Sequence, residues 1–312
     1  MPDPQGELRF DPLTREWVNI VGHRQHRPNL PSAGCPFCVG GLEAPEAYDV
    51  RTFENRWPAY APGEPIDLDT AEQLGTTRLP ATGACEVVLF SPDHDESLST
   101  LSREHVRKVV DVWAARTTAL LQRRDVEYVH VFENRGRLVG ATIDHPHGQI
   151  YGYPFVPPAP AREAAVARER GCQICAEIER ERADGTRVVA EAGEWLAWVP
   201  YASGYAYGLR MAPRTHVGRL SDLDDRARDD LAALLIDVLG RYDRLWNELF
   251  PYLLWFHQAP YDGGSEWHVH AHTAPPLRAK GVPRYVASAE LGSGTLSNPV
   301  EPERAAAELR AV

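Results

Sequence analysis

The 312-residue sequence has no apolar run of the roughly 18 residues that a membrane-spanning helix needs. Its first ten residues, MPDPQGELRF, hold Asp and Glu but no apolar segment, so they do not read as a secretory signal. A cytoplasmic protein with no membrane partner is the expectation. A basic excess is missing too: 33 Lys and Arg face 44 Asp and Glu, a formal charge of −11. Nucleic-acid binding draws its affinity from neutralised phosphates, and a field of this sign opposes it. No nucleic acid is therefore expected as a partner, although a small phosphorylated ligand held by a few convergent arginines remains compatible. There is no low-complexity linker, because the 26 Pro and 24 Gly are spread along the chain as turn markers. What is present, 43% hydrophobic residues with 8 Trp, 12 Tyr and 8 Phe, suffices for one large packed domain or two of ordinary size.

Cysteines are few, and four of the five are paired in the sequence: Cys35-Pro-Phe-Cys38 and Cys172-Gln-Ile-Cys175. In a reducing compartment such pairs suggest metal or redox sites before structural disulfides. The fifth, Cys85, lies in the apolar run GACEVVLF and reads as a buried strand position without chemistry.

The chain repeats one pattern twice. The first half runs from Cys35/Cys38 through a strand-like CEVVLFSP (85–92), His94, an amphipathic helical segment (102–124) and a strand VEYVHVFEN (126–134) to His145-Pro-His147-Gly-Gln149. The second runs from Cys172/Cys175 through YAYGLRMAP (205–213), His216, a helical segment (224–250) and YLLWFHQAP (252–260) to His268-Val-His270-Ala-His272. His94 stands 51 residues before His145, and His216 stands 52 before His268. The helices are read from apolar spacings of three and four, as in Val106, Val109, Val110, Trp113 and in Leu231, Leu234, Leu235, Val238. The strands are read from β-branched and aromatic enrichment. Five landmarks repeated in order imply an α+β fold of two homologous halves, 1–160 and 161–312, each an antiparallel sheet with a long helix and both merged into one body. They join at a Pro-rich break in residues 156–171.

In a strand, His145, His147 and Gln149 line one face. The lead-in ENRGRLVGATID is rich in Gly and polar residues, as suits backbone amides approaching phosphate oxygens. A neutral imidazole attacks phosphorus well near pH 7 and hands the phosphoryl group onward. Gln149 can donate to a phosphate oxygen but cannot protonate a leaving group, which favours transfer over hydrolysis.

FENRG…DHPHGQIYGYPF, together with CPFC, ENRWPA and HQAPYDG…WHVHAH, resembles the galactose-1-phosphate uridylyltransferase family, a branch of the histidine-triad superfamily. The resemblance runs from RFDPLTREWVNIVGHRQHRP (9–28) to the C-terminal EPERAAAELRAV (301–312). It implies that His147 is the nucleophile, attacking UDP-glucose to release glucose 1-phosphate and then passing the uridylyl group to galactose 1-phosphate. It further implies that Gln149 binds the phosphoryl oxygens and that the His145 carbonyl fixes the tautomer of His147. Uridine and phosphate contacts fall on Arg24, Arg27, Asn55, Asn134 and Thr142. The sugar-phosphate contacts fall near Arg284 and Tyr285, supplied by the other subunit of a homodimer.

The resemblance also implies a zinc held by Cys35, Cys38, His94 and His145, and a second metal, iron or zinc, held by Glu163, His257, His270 and His272. Superposing the two halves adds a further expectation, a second Cys2His2 zinc on Cys172, Cys175, His216 and His268, against the alternative of a relic thiol pair. Were the second half to hold one site, the thiolates favour the cysteine set. Arg284-Tyr285 stands where Lys-Phe is usual in the family, Ser288 where Gly is usual, and Leu296 near a Gln. These departures, with the second CxxC, bring in an ADP-sugar phosphorylase or adenylyltransferase on the same scaffold as a rival. Two further rivals are a hydrolase working from His268-x-His270-x-His272 and a non-enzymatic, zinc-stabilised binding module.

Overall fold

The structure is a computed structural model describing residues 6–26 and 34–312. The first half holds strands β1 (Glu7–Asp11), β2 (Glu16–Ile20) and β3 (Arg51–Glu54), helix α1 (Leu68–Gln73), and strands β4 (Arg78–Pro80) and β5 (Ala84–Leu89). Helix α2 (Arg103–Leu121) follows, then strands β6 (Tyr128–Arg135) and β7 (His147–Tyr153). Helices α3 (Pro158–Arg170) and α4 (Gln173–Asp184) lead into strands β8 (Val188–Ala192), β9 (Trp195–Trp198) and β10 (Arg210–Pro213). Helix α5 (Asp225–Trp246) precedes β11 (Tyr252–His257) and β12 (His270–Ala274). A short hairpin of β13 (Leu277–Ala279) and β14 (Val282–Pro283), then α6 (Ser288–Ser293) and α7 (Pro302–Arg310), end the chain.

Nine strands form one sheet in the order β3-β5-β7-β6-β11-β12-β10-β9-β8, with β6 and β11 pairing antiparallel at its middle. Reading outward from that seam, β6, β7, β5 on one side mirror β11, β12, β10 on the other. The long helices α2 and α5 arise at the same point of each half. This agrees with the α+β class and the repeat read from the sequence, with the two sheets fused edge to edge.

Both long helices pack on one face of the sheet. Val106, Val109, Val110 and Trp113 of α2 and Leu231, Leu234, Leu235 and Val238 of α5 share a core with Val129 and Val131 of β6, Ile150 of β7, and Leu254 and Phe256 of β11. Burying apolar side chains of this size contributes about 1.5–3 kcal/mol each. Each helix starts at a side-chain cap: Ser102 accepts from the His105 amide, and Asp224 accepts from the Ala227 amide. Helix α5 stops at Trp246, short of the helical segment expected to 250, because Asn247 takes a left-handed conformation (φ 53°) and closes the last turn.

Two other departures have local causes. The Pro-rich join at 156–171 is largely helical, since Pro158 and Pro160 sit in the first turn of α3, where no amide partner is required. The strand expected over 205–213 begins only at Arg210, because the chain turns through Tyr207 at φ 58°, a turn held by the Gly208 amide on the Tyr205 carbonyl (3.1 Å).

At the central seam the Glu133 carboxylate is buried beneath the sheet, accepts from the Tyr252 hydroxyl at 3.0 Å, and lies near Arg135 and Asp243. Burial pushes its pKa from 4.5 up to about 7, opposed by Arg135 and Tyr252 and aided by Asp243. Between those values the folded chain keeps a proton that the unfolded chain has lost, so this group's contribution falls as pH rises and is at its worst above pH 7. Glu133→Gln should therefore stabilise the protein by on the order of 3 kcal/mol at about pH 8 and leave it nearly unchanged at about pH 4. Paired thermal melts at the two pH values check this, and an equal effect at both would contradict it.

Candidate active site and metal centres

The helices occupy one face of the sheet, which leaves the other for chemistry. Along β7, Ile150 enters the core while His147, Gln149, Tyr151 and Tyr153 point the opposite way. His145 and Pro146 precede the strand rather than belonging to it, and His145 is buried. Gly148 is required by packing: a Cβ there would stand 2.8 Å from Cζ of Phe90 and 2.9 Å from the carbonyl oxygen of Phe132.

His147 places Nδ1 2.8 Å from the His145 carbonyl oxygen. A carbonyl only accepts, so Nδ1 carries the proton and the lone pair is on Nε2. Phe37, between the two cysteines, meets the His147 ring edge-on at 5.1 Å. The ring lies at the junction of two cavities. One, of about 670 Å3, is lined by Val39, Leu42, Phe53, Asn55, Trp57 and Gln149. The other, of about 470 Å3, is lined by Asn134, Gly136, Arg137, Ala141 and His145. Both have the size of small-molecule sites.

The positions implied for substrate are distributed unevenly. Asn55, Thr142 and Gln149 line the larger cavity and Asn134 the smaller. Arg24, in a 3-10 turn (Gly22–His26), donates from Nε to the Trp57 carbonyl (2.8 Å) and from Nη2 to the Tyr151 hydroxyl (3.0 Å). Arg27 lies outside the described residues. Arg284 and Tyr285 line neither cavity: Arg284 is buried in an ion pair with Glu290 and lies over the Tyr205 ring, while Tyr285 is 79% exposed.

The chain gathers three groups of metal-ligating side chains, each with its ligand atoms within 4.8 Å of one another: Cys35/Cys38/His94/His145, Cys172/Cys175/His216/His268 and Glu163/His257/His270/His272. In the first, Cys38 Sγ is 3.5 Å from Nδ1 of His94 and 3.6 Å from Nδ1 of His145. In the second, Cys175 Sγ is 3.3 Å from Nδ1 of His216 and 3.4 Å from Nδ1 of His268. Zinc bonds of about 2.3 Å to sulfur and 2.0–2.1 Å to nitrogen, at tetrahedral angles, put S and N about 3.5 Å apart. Both donor sets therefore fit that ion. The outer nitrogens agree: Nε2 of His145 donates to the Ser91 carbonyl (2.8 Å) and Nε2 of His268 to that of Pro213 (2.9 Å), leaving each Nδ1 lone pair for a ligand bond. Burial lowers the His268 pKa to about 4 and keeps the ring neutral. Burial and the adjacent Cys172 push the Cys175 thiol up to about 11, an opposition to ionisation that a bound cation removes.

In the third group Glu163 Oε2 is 2.8 Å from Nδ1 of His257 and 3.4 Å from Nε2 of His270. Burial opposes the ionisation of Glu163, but the contacts to His257 and His270 outweigh it and hold the carboxyl well below its usual range. Nε2 of His272 is buried without a hydrogen-bond partner among the described residues, as suits a nitrogen intended for a cation. His268 and His270 divide between two groups because His268 stands ahead of β12 and His270 opens it.

Several supporting residues carry little signal in the sequence. The Tyr48 hydroxyl lies 2.9 Å from Nε2 of His145 and donates to the Phe37 carbonyl (2.7 Å). Trp255 stacks on His272 at 5.1 Å and donates to Nε2 of His257 (3.1 Å). Gly41 closes the Cys35–Cys38 turn, where a Cβ would meet three carbonyl oxygens at 2.6–2.8 Å.

Residues 33–157 match the family described as galactose-1-phosphate uridyl transferase, N-terminal domain, and residues 163–312 match its C-terminal domain. Galactose-1-phosphate uridylyltransferase of Thermotoga maritima is 38% identical over 97% of this chain and 98% of its own length. That of Streptomyces lividans is 36% identical over 98% of this chain and 87% of its own. Among solved structures, a uridylyltransferase superposes with a TM-score of 0.86 at 29% identity, covering 98% of this chain and 97% of the other. An ADP-glucose phosphorylase from Arabidopsis thaliana with bound ADP-glucose superposes with a TM-score of 0.74 at 27% identity, covering 98% and 99%.

Gly148→Ala drives a methyl group into Phe90 and the Phe132 carbonyl, so it should cost about 1–3 kcal/mol of stability. Urea unfolding measures this, and a midpoint equal to that of the parent would show that the strands can spread to admit the methyl group.

Proposed function

Because the chain belongs to the galactose-1-phosphate uridyl transferase family, matched over both domains, we propose that it moves a uridylyl group between UDP-glucose and galactose 1-phosphate through a covalent nucleotide on His147. The observation that carries this reading is the 2.8 Å hydrogen bond from Nδ1 of His147 to the His145 carbonyl, which puts the lone pair on Nε2 of a ring set where two cavities meet.

Nε2 attacks the α-phosphorus of UDP-glucose, the bond from that phosphorus to the bridging oxygen breaks, and glucose 1-phosphate leaves with the electron pair. The ring becomes an imidazolium whose Nδ1–H stays on the His145 carbonyl, which stabilises the new charge. A phosphate oxygen of galactose 1-phosphate then attacks the same phosphorus, the P–N bond breaks, and the imidazole returns neutral. The leaving group in each direction is a phosphate monoester anion that needs no proton, so Gln149 serves as a donor to the phosphoryl oxygens and not as an acid. Thr142 in one cavity and Asn134 in the other supply further polar contacts to the nucleotide and phosphates. The family likeness adds Arg24 and Arg27 to these contacts.

Zinc on Cys35, Cys38, His94 and His145 would act structurally, pinning the residue whose carbonyl holds the nucleophile. Cys172, Cys175, His216 and His268 would hold a second zinc in the same way, and Glu163, His257, His270 and His272 a zinc or iron. We read the halves as residues 1–160 and 161–312 and the protein as a cytoplasmic homodimer. Its Arg284–Tyr285 segment, which lines neither cavity of its own chain, serves the neighbour's sugar-phosphate site.

The departures at Arg284, Tyr285, Ser288 and Leu296, together with the likeness to an ADP-glucose phosphorylase, support an adenylyl-transferring alternative on the same nucleophile. Intact-protein mass spectrometry separates the two. Incubation with UDP-glucose should add one uridylyl group and ADP-glucose nothing, and His147→Ala should abolish the adduct with a loss of at least about 10⁴ in turnover. An adduct from ADP-glucose alone would assign the adenylyl reading, and full transfer by the His147 variant would overturn both.

Metal analysis should find zinc above one equivalent per chain, with Cys172→Ser removing about one. Zinc at one equivalent or less, unchanged by that substitution, overturns the second Cys2His2 site.

A further inference from the structure

Gln149 can aid phosphoryl transfer only if its carboxamide presents the nitrogen, since its oxygen would set one acceptor against another. Nothing intrinsic to a carboxamide decides which end faces the ligand; its partners do. Here a chain of three groups makes that choice. The Trp57 backbone amide can only donate, and it meets Asn55 Oδ1 at 2.9 Å. Asn55 must therefore turn Nδ2 the other way, where it meets Oε1 of Gln149 at 3.3 Å. An NH2 group only donates, so Gln149 uses its oxygen as the acceptor and is left with Nε2 for the cavity.

The frame behind this relay is stiff. Asn55 directly follows β3, its own backbone amide donates to the Cys85 carbonyl at 2.8 Å, and the residue is only 9% exposed. Gln149 is held between Val87 of β5 and Phe132 of β6. Asn55 and Gln149 both line the cavity beside His147.

We propose that Asn55 is a positioning residue for the transfer step: anchored by the Trp57 amide, it locks the Gln149 carboxamide with Nε2 toward the phosphoryl oxygens. This rests on the reading of His147 as nucleophile and differs from a direct uridine or phosphate contact by Asn55. The relay makes the choice of amide at position 55 matter through its donor. An aspartate in its place still accepts from Trp57, but it presents a second acceptor to Gln149. Gln149 must then flip, give its Nε2 hydrogens to that carboxylate, and turn Oε1 to the phosphate.

The test compares Asn55→Asp and Asn55→Ala in single-turnover formation of the His147 nucleotide adduct from UDP-glucose, with KM and the rate read separately. The relay predicts a fall in rate of about 10²-fold or more for Asn55→Asp, the size expected when one donor to the developing charge is lost. Asn55→Ala, which frees Gln149 without forcing it over, should lose less, and KM should move less than the rate in both. A ribose contact by Asn55 gives the opposite order, because a carboxylate can still accept from a hydroxyl; Asn55→Asp at the parent rate, or faster than Asn55→Ala, overturns the proposal. Absence of any adduct in the parent protein counts against the nucleophile, and so against the premise and not the relay alone. A second measurement needs neither variant nor turnover. On titration of the parent protein with UMP, followed by side-chain amide NMR, the Gln149 NH2 signals should shift most. Shifts at the Asn55 NH2 with none at Gln149 overturn the proposal.

Discussion

The imidazole of His147 is held through a backbone carbonyl whose own residue is held by its side chain, and the rest of the site depends on that coupling. A carbonyl two residues upstream could swing with the loop that bears it. Here it cannot, because the His145 ring is buried, donates from Nε2 to Ser91 and points Nδ1 into a cluster with Cys35, Cys38 and His94. Tautomer and direction of the His147 ring, the proposed nucleophile, are thus set by the His145 carbonyl and the groups that hold His145. A loss of about 1 Å of placement is enough to cost a reacting pair much of its advantage. A structural metal on His145, as proposed, would therefore bear directly on the chemistry.

The second half repeats the construction with a different outcome. His270 places Nδ1 2.7 Å from the His268 carbonyl, and His268 joins a Cys2His2 group while bonding the Pro213 carbonyl, three residues before His216 as Ser91 is three before His94. The ring of His270 is therefore held in the same tautomer as that of His147. What differs is the surroundings. Gln149 has its counterpart in His272, and Glu163 of α3 brings a carboxylate against Nε2 of His270. The nitrogen that in one half faces two cavities, and is proposed to attack phosphorus, faces in the other a set of donors suited to a cation. One duplicated scaffold supports both because the shared part fixes only the histidine, and the neighbours decide what it meets.

Much of this is legible in the sequence, for reasons specific to the residues. The three groups of ligating side chains are legible because the family resemblance implies two of them, and the repeat of CxxC and His-x-His adds the third. The helices α2 and α5 are legible because their apolar faces meet a continuous core. The segment 205–213 is less so: apolar, aromatic residues suit a buried turn as well as a strand, and Tyr207 bears a positive φ that its type does not announce. Helix α3 is legible in part, since AREAAVARER suits a solvated helix face, while the prolines at its start break a helix in its interior and favour its first turn. Tyr48, Trp255 and the Ser91 and Pro213 carbonyls leave no trace, since a hydroxyl or a main-chain oxygen gains its role only from where the fold puts it. Arg284 shows the converse limit, because a residue placed by likeness to a family is, in a single chain, occupied with Glu290.

The fusion of the two halves explains why the chemistry lies on one face. An antiparallel sheet of this width must bury one side, and α2 and α5, packed against each other and against the central strands, cover it. The opposite face then carries the polar alternates of those strands, so His147, Gln149, Asn134, His257, His270 and His272 are delivered to the same side by register alone. A slip of one residue in β7 would send His147 into the core and bring Gly148 to the cavity. Gly148 guards against that slip, since in the present register it is the residue that fits beneath Phe90, whereas a histidine side chain there would not. The packing constraint that admits only glycine at 148 is thus also what keeps an imidazole at 147 facing outward.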